Sequence, residues 1–337
     1  MPDRRACLYF SWSRPVEKDA PLGDINNRFP ALFEARRIHY PRFEHLSPSR
    51  DIDQGINGFL DHIQLPNFHA FLQLATDICR QEALMLERVS EDFGTTELTD
   101  SLLREVDTLI IISFDAIRTL QSPSQAELNA LRGFLQTPGN MLFVCPHHDI
   151  GDTTSVSPNL HDRRQQAEFY HHGDRSIPPQ QRFGGFGRDV LAGLGVPVEN
   201  RFGLRPRLDD HGTAWPFRAE RALDRWGLLK DVESFNTHPH LPHLERIGGA
   251  RDRLDVLVQQ QIEPTAHPNP FCDEGRRDFD AMLQSRTGVF DGTLLVCDST
   301  LWSSTAGGIA QLQTFWSNVM QRSKAATAPW PRTDAWP

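Results

Sequence analysis

The chain has no long hydrophobic run. Nothing in it approaches the ~20 consecutive apolar residues of a membrane-spanning helix, and the start, MPDRRACLYFSWSRP, is too short in apolar residues for a signal-peptide core. Cysteine is scarce and unpatterned. The five residues Cys7, Cys79, Cys145, Cys272 and Cys297 are odd in number, widely spaced and without a CxxC. That reads as reduced thiols in a cytoplasm rather than a disulfide framework. Basic excess is absent too: 35 Lys and Arg against 44 Asp and Glu give a formal charge of −9. Broad binding to nucleic acid or to an anionic membrane needs the opposite sign. There is no internal repeat.

What the chain does contain is apolar runs that end in ionisable residues. The most informative is Gly139–Asp152, GNMLFVCPHHDIGD, where Met141–Val144 run directly into Cys145, Pro146, His147, His148 and Asp149. A buried strand ending in such side chains is how an open α/β sheet delivers chemistry to its carboxyl edge. Strands are expected at Ala6–Trp12, Glu82–Val89, Asp107–Ser113, Asp255–Ile262 and Gly292–Cys297. Of these, DTLIIIS has the continuous apolar run of a strand buried on both faces. Helices are expected over Phe59–Arg80 with a break at Pro66, over Asp100–Glu105 with Asp100 as cap, and after Ser122-Pro123-Ser124. Further helices are expected over Gly187–Leu194, Ala219–Trp226, Arg276–Gln284 and Gly308–Met320. A short one fits Pro30–Arg37 within an irregular stretch, and Pro264–Glu274 reads as loop. The unit 107–145 is strand–helix–strand, which implies two parallel strands joined by a right-handed crossover.

These segments divide the chain into a first part of an α/β core (1–150), a loop-rich insertion or lid over the carboxyl edge (151–215), the remainder of the core (216–322) and a flexible tail (323–337). Three stretches carry a resemblance: DTLIIISFDAIRTLQSPSQAELNALRGFLQTPGN, then MLFVCPHHD, then GTLLVCDSTLWSSTAGGIAQLQTFWSNVM. Together they resemble the class I glutamine amidotransferase-like superfamily, and within it the ThuA-like branch, over under a third of the chain. The resemblance implies a flavodoxin-like parallel sheet sandwiched by helices. The chain departs from the glutaminase pattern at Cys145. A nucleophile elbow needs flanking glycines, and Cys145 stands between Val144 and Pro146. VCPHHDIGD also has a superficial likeness to the PHPDD loop of LmbE-like zinc deacetylases, but Ile150 stands where that loop has a second Asp.

A parallel sheet brings strand ends together, here Ser13 and Arg14, Ser113 and Asp115, His147, His148 and Asp149, and Asp298 and Ser299. Imidazole and carboxylate suit a divalent metal such as Zn, Fe or Mn, so His147, His148 and Asp149 are candidate ligands. His171 and His172 follow within the insertion, in EFYHHGD. Asp298 is a candidate general base, His148 a second catalytic candidate, and Arg182, Arg188, Ser113, Asp115 and Ser299 candidate substrate contacts. A third histidine group, His238, His240 and His243, reads better as a proline-stiffened surface loop than as ligands. The function expected is a metal-dependent, hydrolase-like enzyme acting on a small polar or anionic substrate. The alternatives are a non-catalytic ligand-binding or scaffold protein of the same fold, and an enzyme using Cys145 as a thiol nucleophile. The expected partner is a small-molecule substrate, with neither nucleic acid nor membrane; a homo-oligomer is left open.

Overall fold

The structure is a computed structural model that describes residues 4–18, 65–113, 121–146, 185–238, 241–263, 270–273, 275–303 and 308–323. In chain order the elements are β1 (Ala6–Ser13), α1 (Arg14–Lys18), α2 (Leu65–Cys79), β2 (Leu84–Val89), α3 (Asp100–Leu103), β3 (Thr108–Ser113), α4 (Gln125–Leu135), β4 (Met141–Pro146), α5 (Gly185–Gly193) and β5 (Val198–Leu204). There follow β6 (Arg218–Ala219), a 3-10 turn (Arg221–Leu223), β7 (Leu241–Arg246), α6 (Ala250–Arg253), β8 (Leu254–Gln261), α7 (Pro270–Asp273), β9 (Asp278–Ser285), β10 (Thr293–Cys297), a second 3-10 turn (Ser299–Trp302) and α8 (Ile309–Gln321).

Eight strands form one sheet in the order β2-β1-β3-β4-β10-β9-β8-β6. The first five are parallel, and β9, β8 and β6 extend the sheet antiparallel. The parallel part has the flavodoxin-like order 2-1-3-4-5, so the expected α/β fold is the observed one. β5 and β7 pair separately as a two-stranded antiparallel sheet.

Alternation along the strands explains the sandwich. Leu8 and Phe10, Ile110 and Ile112, Phe143 and Cys145, and Leu295 and Cys297 share one face, covered by Phe68 and Phe71 of α2 and Leu312, Phe315 and Trp316 of α8. Cys7 and Tyr9, Leu109 and Ile111, Leu142 and Val144, and Leu294 and Val296 share the other. It is covered by Leu131, Phe134 and Leu135 of α4 and by Phe186, Val190 and Leu191 of α5. Every residue of β3, β4 and β10 is buried, which is why these strands read as unbroken apolar runs. Strand–helix–strand 107–145 is as expected: β3 and β4 are parallel and adjacent.

Several local expectations need correcting. The N-cap of α3 is Thr99, whose hydroxyl accepts from Leu102 N at 3.3 Å, not Asp100. Of the two serines before α4, Ser124 is the cap. It forms a reciprocal box with Glu127, so Pro123 precedes the helix. Ala219–Trp226 is not a helix. Its start pairs with β8, and Asp224 turns away to accept the backbone N–H groups of Leu228 and Leu229, both at 2.8 Å. Arg276–Gln284 contains strand β9. Its Ala, Met, Leu and Gln favour a helix, but β8 and β10 on either side supply ladder partners that a helix would forgo. In the region read as loop-rich insertion, β5 is an additional strand and α5 packs into the core. Of the irregular stretch expected at 16–52, residues 16–18 belong to α1; the rest, with the helix expected at 30–37, lies outside the described residues, as do 59–64 of the helix expected over Phe59–Arg80 and the tail from 324.

Candidate functional site at the carboxyl edge

The five parallel strands end along one edge, where β9 begins and β8 ends. β4 and β10 pair in register, Val296 opposite Val144. Cys297 therefore lies level with Cys145, and Asp298 emerges level with Pro146.

Asp298 is 4% exposed and caps the 3-10 turn that follows. Its Oδ1 accepts the Thr300 N–H at 2.9 Å and also the Thr300 hydroxyl. The Asn236 amide donates to the Thr300 carbonyl at 2.6 Å, bracing the turn from a second segment. Asp298 lines a narrow cavity with Asn236, Gln260, Phe235, Phe279 and Leu301, with room for about 10 Å³ of water-sized occupant. That is about one water molecule. Ser299 beside it is fully buried, and its hydroxyl has no hydrogen-bond partner among the described residues.

Two other described candidates, Ser113 and Arg14, have structural tasks. Ser113 Oγ accepts the Gly187 N–H of α5 at 3.0 Å, and the two meet so closely that a Cβ on Gly187 would lie 3.0 Å from Ser113 Cβ. Ser113 thus pins the start of α5 to the end of β3. Arg188 is half-buried one residue further along that helix. At the end of β1, Arg14 Nε donates to Glu87 Oε2 at 2.7 Å. Next to it Arg88, Tyr9 and Glu127 form a buried network: Arg88 donates to the Tyr9 hydroxyl at 3.0 Å and to both carboxylate oxygens of Glu127, and Leu98 N adds a donor at 3.1 Å.

Cys145 is fully buried, and its hydrogen-bonding neighbour among the described residues is Cys297, Sγ to Sγ 3.6 Å. Burial pushes its thiol well above the ordinary range and the Cys297 thiol adds to that. A nucleophilic cysteine needs the reverse environment, electropositive and partly exposed. Cys297 as the partner of Cys145 was not anticipated. The signal was present: MLFVC and TLLVC end in the same Val-Cys, on strands that both lead to the edge. Asn236 and Gln260 were not anticipated either, because nothing local marks a polar residue that a distant strand brings to a cavity.

His243 corrects the surface-loop reading of its segment. It is 4% exposed within β7, its Nδ1 accepts the Asp280 N–H at 3.1 Å, and its Nε2 lies 2.6 Å from Arg276 Nη2. Its ring is 5.2 Å from that of Phe271, over which Arg276 also stacks. His240 lies outside the described residues, as do Asp115, His147, His148, Asp149, His171, His172 and Arg182. Among the described residues no group of three or more His, Cys, Asp or Glu side chains could hold a metal ion, and no helix is long and apolar enough to cross a membrane.

A larger cleft of about 600 Å³ opens at the opposite, amino edge, between α3 and α4. Two of its charged groups are committed to the fold: Asp107 accepts from Arg4, Arg5 N and Thr108, and Arg5 donates to the Glu82 carbonyl. The carboxyl edge remains the better candidate, since the topology converges on it. No family model and no curated protein matches the chain.

Proposed function

We propose that the protein is a hydrolase-like enzyme that acts on a small polar or anionic substrate at the carboxyl edge of the sheet, with a divalent metal held by His147, His148 and Asp149 and by His171 or His172. The observation that supports it is the register of β4 and β10, which sets the buried carboxylate of Asp298 level with Pro146, one residue before His147. Imidazoles with a carboxylate are the donor set for Zn, Fe or Mn. Such a cation, when bound, makes water a competent nucleophile near neutral pH. Asp298 would be the base that takes a proton from water at this edge, its orientation fixed by Thr300 through Oδ1. Arg188 and Arg182 offer charge to an anionic group on the substrate.

Metal analysis of the purified chain tests this. One equivalent of metal is expected, lost in His147→Ala and retained in Asp298→Asn, with hydrolysis of a panel of small esters, amides and phosphoesters reduced by about 10²-fold or more in Asp298→Asn. A metal-free wild-type protein sinks the reading.

A second reading, a non-catalytic ligand-binding protein, is supported by how fully the described edge is packed. Ser113 is occupied by Gly187 and Arg14 by Glu87, and the cavity beside Asp298 is water-sized. It predicts saturable binding of a small ligand without turnover.

A further inference from the structure

The strand ends that support the candidate site also place two thiols against each other. Cys145 closes the apolar run of β4 and Cys297 that of β10, both on the face covered by α2 and α8. The register continues from Val144 opposite Val296, so the two cysteines are direct cross-strand neighbours. Adjacent strands run about 4.8 Å apart, inside the ~4.4–6.8 Å range of Cα separations that a disulfide bridges. The sulfurs stand 3.6 Å apart, and a bond of about 2.0 Å closes the remaining gap by side-chain rotation without moving either strand far.

We infer that Cys145 and Cys297 are a reversible disulfide pair, a built-in modification site directly beneath the carboxyl edge. The inference is independent of the hydrolase reading. The oxidant is a peroxide, small enough to enter a packed edge. One thiolate attacks a peroxide oxygen and the O–O bond breaks, giving a sulfenic acid and hydroxide. The second thiol then displaces hydroxide from that sulfur. Overall two thiols and one hydrogen peroxide yield one disulfide and two waters. Burial of both sulfurs makes the first step slow compared with an exposed thiol, so the pair responds to sustained oxidation and not to a brief pulse. Once formed, the bond ties β4 to β10 at the level from which Asp298 and Pro146 emerge. The three other cysteines lie on other elements, Cys7 on β1, Cys79 on α2 and Cys272 on α7.

The test uses the reduced full-length chain in native buffer, incubated with hydrogen peroxide for hours, blocked with N-ethylmaleimide, digested without reductant and mapped by mass spectrometry. The expected result is a cross-linked peptide joining Cys145 to Cys297, lighter by two hydrogens, abolished in Cys297→Ala and reversed by a reductant. The bridge spans 152 residues of sequence. Because it restrains the unfolded chain, the urea midpoint of the oxidised protein should rise. Recovery of both thiols in reduced form while Cys272 is oxidised overturns the inference. So does a bridge that forms only after denaturation, or an unchanged or lowered urea midpoint in the bridged protein.

Discussion

Thiol reactivity in this chain is decided residue by residue, by burial. Cys7 lies in β1 with its side chain in the core, and burial pushes its thiol up to about 12. Cys79 at the end of α2 is raised by burial first, and by the Asp107 carboxylate second. Cys145 is raised well above the ordinary thiol range, by burial first and by the thiol of Cys297 second. Cys272 alone is only half-buried. Alkylation requires the thiolate, whose fraction falls tenfold for each unit the thiol pKa lies above the pH. Iodoacetamide at pH 8 under reducing conditions should therefore label Cys272 first. Cys145 should stay unlabelled on that timescale, and raising the pH to 9 should not expose it, since its thiol still holds its proton there. Rapid modification of Cys145 with a low apparent pKa would restore the thiol-nucleophile reading and remove the structural one.

At the scale of elements, the link between β3 and α5 carries a prediction about Ser113. Its hydroxyl satisfies one of the N–H groups that a helix start leaves without an intrahelical partner. Ser113→Ala leaves the buried Gly187 N–H unsatisfied and should cost about 1–3 kcal/mol in urea unfolding. Ser113→Thr should not rescue it, because the approach to Gly187 is already close. A loss of ligand binding with unchanged stability would return Ser113 to the role of substrate contact. Ser113 shows where sequence reading reaches its limit. That it ends a strand at the edge was legible from DTLIIIS, because a run buried on both faces has no other explanation. That a glycine some seventy residues later occupies its hydroxyl was not legible, since no local pattern encodes a long-range hydrogen bond. The same holds for the sheet. β1, β3, β4 and β10 were legible as apolar runs. β9 was not, because DFDAMLQS has helix-favouring residues and becomes a strand only through its neighbours on both sides. At the candidate site, Asp298 and Ser299 were legible as strand-end residues, while Asn236 and Gln260 depend on the same kind of distant pairing.

At the scale of the whole molecule, two arginines beside the amino-edge cleft tie β1, the central strands and α8 together. Arg4, just before β1, and Arg322, just after α8, converge on Asp107 at the start of β3. Arg322 donates to the Thr108 hydroxyl at 2.9 Å and to the carbonyls of Val319, Asp107 and Gly139 at 2.7, 3.1 and 3.0 Å. Arg4 reaches the carbonyls of Arg322 and Ser323 at 3.1 and 2.9 Å. The first strand, the central strands and the last helix thus share one buried polar knot. Two guanidiniums share one carboxylate, and burial together with Arg4 pushes Arg322 down to about 9, so it still carries its charge at neutral pH. Carbonyl oxygens that accept from both arginines make this crowding tolerable. The balance hangs on Asp107. Asp107→Ala leaves two like charges buried without their counterion, and should cost about 3–5 kcal/mol, the typical penalty for removing one member of a buried pair. Removing Arg4 in the same chain should recover part of that loss, because the repulsion goes with it. A double-mutant cycle over Asp107→Ala and Arg4→Met, followed by urea denaturation, reads the coupling directly. Strictly additive losses would mean that the three groups act separately and that β1 and α8 are held at this edge by packing alone.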